Sequence, residues 1–148
     1  MNIFIGSDHA GFEAKKEVKE VLEQLACTYE DIGTFTEEAI DYPVIARKVC
    51  EKVLTAPHSF GILICGSGTG MAIAANKIKN IRASLCLDTY SAQMARKDTD
   101  CNVLCLRARN FDVHLYHGII RTFLETPFSE EPRHKKRIGQ LEKQAGNR

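Results

Sequence analysis

Short apolar runs alternate with helical patterns along the chain, and this alternation limits the fold more strongly than any other feature. The apolar runs that predict strands are residues 2–8, 61–66, 82–88 and 102–108, and residues 28–32 predict a weaker strand that Gly33 ends. A segment with apolar residues at helical spacing follows each run. Five strand–helix units with short connections predict an α/β fold, a three-layer αβα Rossmann-like domain with a five-stranded parallel sheet.

The chain has the size of one ordinary domain, with 148 residues of which 44% are hydrophobic. We expect a single domain over residues 1–148 that ends in a polar helix at about 130–145. No apolar run approaches the ~20 residues that a membrane span needs, and the first residues lack the features of a signal peptide. The six cysteines match no disulfide or zinc spacing, so we expect a cytoplasmic protein with reduced thiols and no metal.

The net charge of +1 argues against a broadly basic nucleic-acid binder, but the charges are unevenly placed. Residues 133–148 contain six Lys or Arg and one Glu. Arg133 and Arg137 are four residues apart, so they share one helix face and could clamp a phosphate group. A solvated face and a nucleic-acid patch are the alternatives. We expect the remaining tail cations to be solvated, namely Lys135, Lys136, Lys143 and Arg148.

Polar residues gather where the predicted strands end, which is where ligands bind in an open parallel sheet. They are Asp8, His9, Cys65, residues 66–70, Asp88, Arg107 and Arg109. The loop GSGTG at 66–70 has three glycines at alternate positions, so its backbone could turn tightly and direct several N–H groups at an anion. A plain strand-to-helix turn is the alternative. The loop matches neither a Walker motif nor GxGxxG, although Asp88 lies where a ribose-binding acid of a dinucleotide site would.

Cys65 directly precedes this loop. A thiol beside a helix N-terminus is favoured as thiolate, which suits acyl transfer or proton abstraction next to a carbonyl group. The alternative is a small buried core residue. Asp8 could transfer protons at a ligand, or it could simply cap the helix that begins near Ala10.

Taken together, these stretches closely resemble the ribose-5-phosphate isomerase B family, which includes galactose-6-phosphate isomerase subunits. The matching segments are SDHAGF (7–12), DYP (41–43), GILICGSGTGMAIAANK (61–77), IRASLC (81–86), YSAQMAR (90–96), NVLCLRAR (102–109) and RHKKRI (133–138). They follow the family's order over nearly the whole chain. The resemblance implies an aldose–ketose isomerase that needs no metal or cofactor and converts ribose 5-phosphate to ribulose 5-phosphate through an enediol(ate).

The resemblance also implies roles for individual residues. Cys65 would be the general base, Ser67 would shuttle protons between two oxygens, and Asp8 would handle a hydroxyl proton. The implied substrate-binding set is Asp8, His9, Tyr42, Gly66, Ser67, Gly68, Thr69, Gly70, Thr99, Arg109, Arg133 and Arg137. The site would be shared between the subunits of a homodimer or a dimer of dimers.

Three positions depart from the family pattern. Asp98 stands where a ring-opening histidine is usual, so we place it among the catalytic residues while noting that an ionised Asp is a poor acid near pH 7. Arg107 replaces a usual glycine and adds positive charge near the expected phosphate end. Ala72 replaces a common serine. Because of these departures, the preferred sugar stays open.

Three other functions stay open as alternatives. The chain could isomerise a six-carbon sugar phosphate, such as galactose 6-phosphate or allose 6-phosphate. It could bind a sugar phosphate without turning it over, although Cys65 and Ser67 would then serve no purpose. A dinucleotide-dependent oxidoreductase is disfavoured by the glycine spacing. We expect no nucleic-acid or membrane partner.

Overall fold

The computed structural model describes residues 1–145. The strands are β1 (Asn2–Ser7), β2 (Tyr29–Asp31), β3 (Ser59–Cys65), β4 (Ala83–Leu85) and β5 (Val103–Arg107). The helices are α1 (Phe12–Gln24), α2 (Tyr42–Val53), α3 (Thr69–Ala75), α4 (Thr89–Thr99), α5 (Tyr116–Glu125) and α6 (Pro132–Ala145). Short 3₁₀ turns at His9–Gly11 and Val113–Leu115 precede α1 and α5.

The five strands form one parallel sheet in the order β2-β1-β3-β5-β4, and this confirms the predicted fold class. The chain passes from β1 outward to β2 and then returns to β3 on the other side of β1. The strand order therefore reverses between β1 and β3, and such a reversal opens a crevice at the carboxyl ends of the two strands.

Side chains of the central strands alternate between two cores, as a sheet covered on both faces requires. One face, which includes Ile62 and Ile64, packs against α1, α4 and α5. The other face, which includes Leu63 and Cys65, packs against α2 and α3. Apolar burial on both faces explains why the sequence of β3 is an unbroken apolar run.

The outer strands are shorter than the sequence predicts. The predicted strands at 28–32 and 82–88 contribute only three residues each to the sheet. Both β2 and β4 are edge strands with a single neighbour. The predicted helix at 112–125 begins later, at Tyr116, after a 3₁₀ turn that Asp112 caps. The closing helix spans Pro132–Ala145, close to the predicted range.

A buried ion pair fixes the segment after β2. Lys15 is only 2% exposed, and its Nζ donates to Asp31 Oδ1 at 2.7 Å and to the Thr34 carbonyl at 2.6 Å. Burial lowers the pKa of Lys15, and the hydrogen bond to Asp31 acts in the opposite direction. The pair ties α1 to the chain segment that leads to α2.

The amino edge of the sheet has its own ionic cluster. Arg82 donates to the Thr99 and Asp100 carbonyls and pairs with Asp100 and Glu142. Arg96 donates to Asp100 Oδ1 and to the Cys101 carbonyl, each at 2.7 Å, and its guanidinium lies over the ring of Phe60. These contacts join α4, α6 and the start of β5.

No helix in the described part of the chain is long and apolar enough to cross a membrane. Within residues 1–145, no three His, Cys, Asp or Glu side chains are grouped so that they could hold a metal ion.

Candidate active site

A cleft of about 570 Å³ lies at the carboxyl edge of the sheet, over the β1–β3 crevice. Its lining residues come from the ends of four strands and from the start of α2. They are Asp8, His9, Ala10, Tyr42, Cys65, Gly66, Ser67, Thr69, Gly70, Leu85, Leu87, Arg107 and Arg109. The fold therefore brings most of the polar residues at the predicted strand ends into one cavity.

Asp8 sits at the end of β1 with its carboxylate turned to the backbone. Its Oδ1 accepts a hydrogen bond from the Gly11 N–H at 3.0 Å, which caps the turn before α1, so the capping interpretation of Asp8 is confirmed. Gly11 has to be small here, because a Cβ would lie 2.6 Å from the Ile64 carbonyl oxygen. This close approach brings Asp8 and His9 next to the end of β3, where Cys65 lies.

His9 is exposed at the mouth of the cleft. Its Nδ1 accepts a hydrogen bond from the Ile40 N–H at 3.4 Å. A neutral histidine that accepts at Nδ1 carries its proton on Nε2, which leaves that nitrogen able to donate to an anion.

The glycine-rich loop turns sharply between β3 and α3. Gly68 has φ +78°, a conformation that favours glycine, and a Cβ there would lie 2.4 Å from Leu85 Cδ1. The Gly68 N–H donates to Cys65 Sγ at 3.1 Å, and the Thr69 N–H is 3.3 Å from Ser67 Oγ. Among residues 1–145, the N–H groups of Ser67 and Gly70 have no hydrogen-bond partner, so they can serve a ligand.

Cys65 is 4% exposed and is one of the residues that line the cleft. Its sulfur accepts a hydrogen bond from the Gly68 N–H, which fixes the direction of the thiol. The deeper thiols have no such contact. Burial raises the pKa of Cys50 to about 12, and it raises that of Cys105 well above its usual value. Of these three thiols, Cys65 is the one that lines the cleft.

Backbone pairing between β3 and β5 continues past the ends of both strands. The Ala108 N–H donates to the Cys65 carbonyl at 3.0 Å, and the Arg109 N–H donates to the Gly66 carbonyl at 2.9 Å. The side chain of Arg109 lies beside Gly66, since a Cβ on that glycine would be 3.2 Å from Arg109 Cδ. Arg109 is therefore held against the glycine-rich loop.

Tyr42 forms one wall of the cleft from the first turn of α2. Its ring lies on Gly70, where a Cβ would be 2.8 Å from Tyr42 Cζ. Pro43 follows it in the first helical turn, as the sequence predicts. A partly exposed aromatic ring at this place can pack on the carbon skeleton of a ligand.

Five predicted site residues do not line this cleft in the single chain: Gly68, whose N–H donates to Cys65, and four residues on α4 and α6. Asp98 and Thr99 are in the last turn of α4, which leads to the amino edge of the sheet. Asp98 Oδ1 is 3.7 Å from Nε2 of the buried His134, and Thr99 Oγ1 donates to the Ala95 carbonyl. Arg133 and Arg137 are exposed on α6, where Arg133 pairs with Glu131 at 2.8 Å.

The remaining tail cations are as expected where the structure describes them. Lys135, Lys136 and Lys143 are exposed, and Lys135 pairs with Glu130. Arg148 lies outside the described residues.

Asp88 does not line the cleft. It caps α4, with its carboxylate accepting the Ser91 N–H at 2.6 Å in a reciprocal capping box, and these hydrogen bonds lower its pKa. This arrangement gives no support to a ribose-binding role for Asp88. The dinucleotide alternative therefore loses the acidic residue that was expected to bind the ribose.

Sequence reasoning missed Leu85 and Leu87, which form an apolar wall of the cleft. Both belong to the predicted fourth strand: Leu85 is the last residue of β4, and Leu87 lies just beyond its end. Because leucine carries no chemical signal, only the position of the strand end could have identified them.

Comparison with known proteins identifies the family. The family described as Ribose/Galactose Isomerase matches residues 3–141. Ribose-5-P isomerase B of Listeria innocua is 40% identical over 129 residues, which is 87% of each chain. The ribose-5-phosphate isomerase B structure of Clostridium thermocellum has a TM-score of 0.93 at 38% identity and covers 99% of this chain and 98% of its own. That of Thermotoga maritima has a TM-score of 0.92 at 44% identity, with coverage of 96% and 97%.

The match spans nearly the whole chain and includes every element that borders the cleft. The five-stranded sheet is shared with these solved structures over nearly the whole chain. The chain belongs to the Ribose/Galactose Isomerase family.

Proposed function

We propose that the chain is an aldose–ketose isomerase that interconverts ribose 5-phosphate and ribulose 5-phosphate. The observation that carries the proposal is the convergence of Cys65, unpaired loop N–H groups and Arg109 in one cleft. The relatives named for ribose-5-phosphate isomerase B, with which the chain aligns over nearly its full length, support this substrate.

The reaction moves one proton between neighbouring carbons. Cys65, as thiolate, removes the proton from C2 of the open-chain aldose, and the electron pair passes through the new C1–C2 double bond to the aldehyde oxygen. The resulting enediolate receives its charge-stabilising hydrogen bonds from the loop N–H groups of Ser67 and Gly70. The Cys65 thiol then returns the proton to C1, and Ser67 Oγ carries the hydroxyl proton from O2 to O1. No oxidant or reductant is consumed.

Other groups bind and orient the substrate. Arg109 and Nε2 of His9 donate to the phosphate, Tyr42 packs on the carbon chain, and Asp8 handles a hydroxyl proton. A guanidinium suits this task because it binds phosphate through two parallel hydrogen bonds.

A second copy of the chain would complete the site. Asp98, Thr99, Arg133 and Arg137 lie away from the cleft of their own chain, and Arg137 has no carboxylate partner among residues 1–145. In a homodimer, or in a dimer of dimers, these residues reach the neighbouring cleft, where the two arginines add cationic contacts to the phosphate. Asp98 would take the place of a ring-opening acid or base.

The six free cysteines fit a reducing compartment, so we place the enzyme in the cytoplasm. The whole chain would act as one isomerase domain.

The test is a coupled assay of ribose 5-phosphate isomerisation with the wild-type chain and Cys65→Ala. We expect the variant to lose at least about 10³-fold in kcat, because an essential general base is removed, and to remain folded, because only one sulfur atom is lost from the core. Cys27→Ala, at a half-buried thiol outside the cleft, is the matched control and should keep full activity.

Parallel assays separate the alternatives. Turnover of galactose 6-phosphate or allose 6-phosphate in preference to ribose 5-phosphate would replace the proposed substrate. Binding of ribose 5-phosphate without turnover would make the chain a sugar-phosphate-binding protein. An unchanged rate in Cys65→Ala would overturn the role of the thiol.

A further inference from the structure

Arg107 is a charged residue of the cleft that the mechanism above leaves without a role. The sheet register places its Cα opposite that of Cys65 on the neighbouring strand. Strands in a sheet are about 4.8 Å apart, and residues two apart along a strand face the same side. Cys105 belongs to the same core as Cys65, so Arg107 shares the face of the sheet on which the thiol lies.

Two hydrogen bonds hold Arg107 in place. Its carbonyl accepts the hydroxyl of the fully buried Tyr116 at 2.7 Å, which fixes the backbone at the end of β5. Its Nε donates to the Arg109 carbonyl at 2.7 Å, which fixes the plane of the guanidinium. The side chain is therefore oriented before any ligand arrives.

The terminal amino groups of Arg107 are unused. Within residues 1–145 they have neither a hydrogen-bond partner nor a carboxylate within ion-pair distance. Arg109, two residues on, also lacks a side-chain partner in the described chain. Two neighbouring guanidinium groups without a carboxylate repel one another, so this arrangement favours a ligand that brings negative charge to both.

The cleft contains one acidic side chain to offset these two charges. Asp8 already accepts the Gly11 N–H, and it is only 7% exposed. The two arginines therefore outnumber the acidic side chains of the cleft, and this excess of positive charge favours an anionic ligand. A sugar phosphate supplies one anionic group in the ground state and a second one when the enediolate forms.

We propose that Arg107 contacts the oxygen at C1–C2 on which negative charge develops, while Arg109 contacts the phosphate. This assignment rests on the proposed function. The assignment follows from the pairing of β3 with β5. Cys65 has to reach the hydrogens of C1 and C2, and Arg107 is the cation directly opposite Cys65 on the neighbouring strand. Arg109 lies further along, beside Gly66.

Two ligands that do not react separate the two ends of the substrate. Ribonate 5-phosphate carries a carboxylate at C1, whereas ribitol 5-phosphate carries a neutral alcohol there, and both have the same phosphate. Calorimetric titration of each ligand into the wild-type chain, Arg107→Met, Arg107→Lys and Arg109→Met measures the contribution of each arginine at each end.

We expect Arg107→Met to weaken ribonate 5-phosphate binding by about 10- to 100-fold, because a charge-assisted hydrogen bond is lost. Binding of ribitol 5-phosphate should change by less than about threefold, since a neutral alcohol forms only a weak bond with the guanidinium. Arg107→Lys should keep part of the preference for ribonate, and Arg109→Met should weaken both ligands equally.

An equal loss for both ligands in Arg107→Met would make Arg107 a phosphate contact and overturn the assignment, as would no loss for either. If the wild-type chain binds neither ligand, the proposed function fails and the role of Arg107 fails with it. Unchanged melting temperatures of the variants show that these results do not come from misfolding.

Discussion

The two edges of the sheet each carry a pair of arginines, and the two pairs differ in what surrounds them. At the amino edge, Arg82 and Arg96 are bonded to Asp100, Glu142 and backbone carbonyls. At the carboxyl edge, Arg107 and Arg109 have no carboxylate partner among residues 1–145. The residue type is the same, but one pair joins elements of the fold and the other is left for a ligand.

This difference shows that the partners of a cation, rather than its presence, indicate its use. A guanidinium that already has its hydrogen bonds contributes to stability, because removing it leaves buried carboxylates and carbonyls without donors. A guanidinium without partners contributes little to folding. Substitutions at the two edges should therefore separate stability from activity.

Of the arginine substitutions at the two edges, the largest effect on rate is expected at the carboxyl edge. Arg109→Met should lower kcat/KM for ribose 5-phosphate by about 10²-fold, mainly through KM, because a phosphate contact is the same in the ground state and the transition state. The melting temperature should stay within about 1 °C, since the side chain has no partner to lose. A loss of stability equal to that of an amino-edge variant would break the comparison.

The second prediction tests whether the far side of one chain serves the cleft of another. At a ribose 5-phosphate concentration well below KM, Cys65→Ala and Arg137→Met should each be nearly inactive, and co-expression of the two with different tags should give mixed dimers. One of the two shared sites in a mixed dimer would hold both Cys65 and Arg137, so these dimers should recover up to about half of the wild-type rate. Mixed dimers without recovered activity would mean that each cleft is complete within its own chain.

The smallest effect on rate is expected at the amino edge. Arg96→Met should lower the free energy of unfolding by about 2–4 kcal/mol, because the Cys101 carbonyl loses its buried donor and Asp100 loses one of the two arginines that bind its carboxylate. For a chain of this size that shift lowers the melting temperature by about 5–10 °C.

The catalytic rate of Arg96→Met at 25 °C should remain unchanged. Arg121→Met is the matched control, because Arg121 forms an exposed pair with Glu125 and should cost less than about 1 kcal/mol. Equal melting temperatures for the two variants would show that the amino-edge cluster does not stabilise the fold.

The sequence predicts the central part of the molecule better than its margins. The apolar run of β3 and the polar residues after β1 and β3 locate both the sheet and the cleft, because burial and strand ends leave direct patterns in the sequence. The lengths of β2 and β4 depend on how many neighbours each strand has, and this number is a tertiary property.

Long-range pairing was also beyond reach from the sequence. Nothing in the spacing of Lys15 and Asp31 distinguishes a buried ion pair from two solvated charges. The same holds for Arg133 and Arg137. Their helical spacing predicts that they share one face of α6, but it does not predict whether that face contacts the cleft of the same chain or of a second copy.

The backbone bonds that continue from β3 and β5 past their strand ends also determine which parts of the cleft can open. Cys65, Gly66, Ala108 and Arg109 are held together by hydrogen bonds of 2.9 and 3.0 Å, so they move as one body. On the opposite wall, Lys15 holds Thr34, and the residues between Thr34 and Tyr42 are joined to the residues after β1 by the longer 3.4 Å hydrogen bond from Ile40 to His9. We therefore expect substrate to enter and product to leave past the residues just before Tyr42, while the reacting groups keep their spacing.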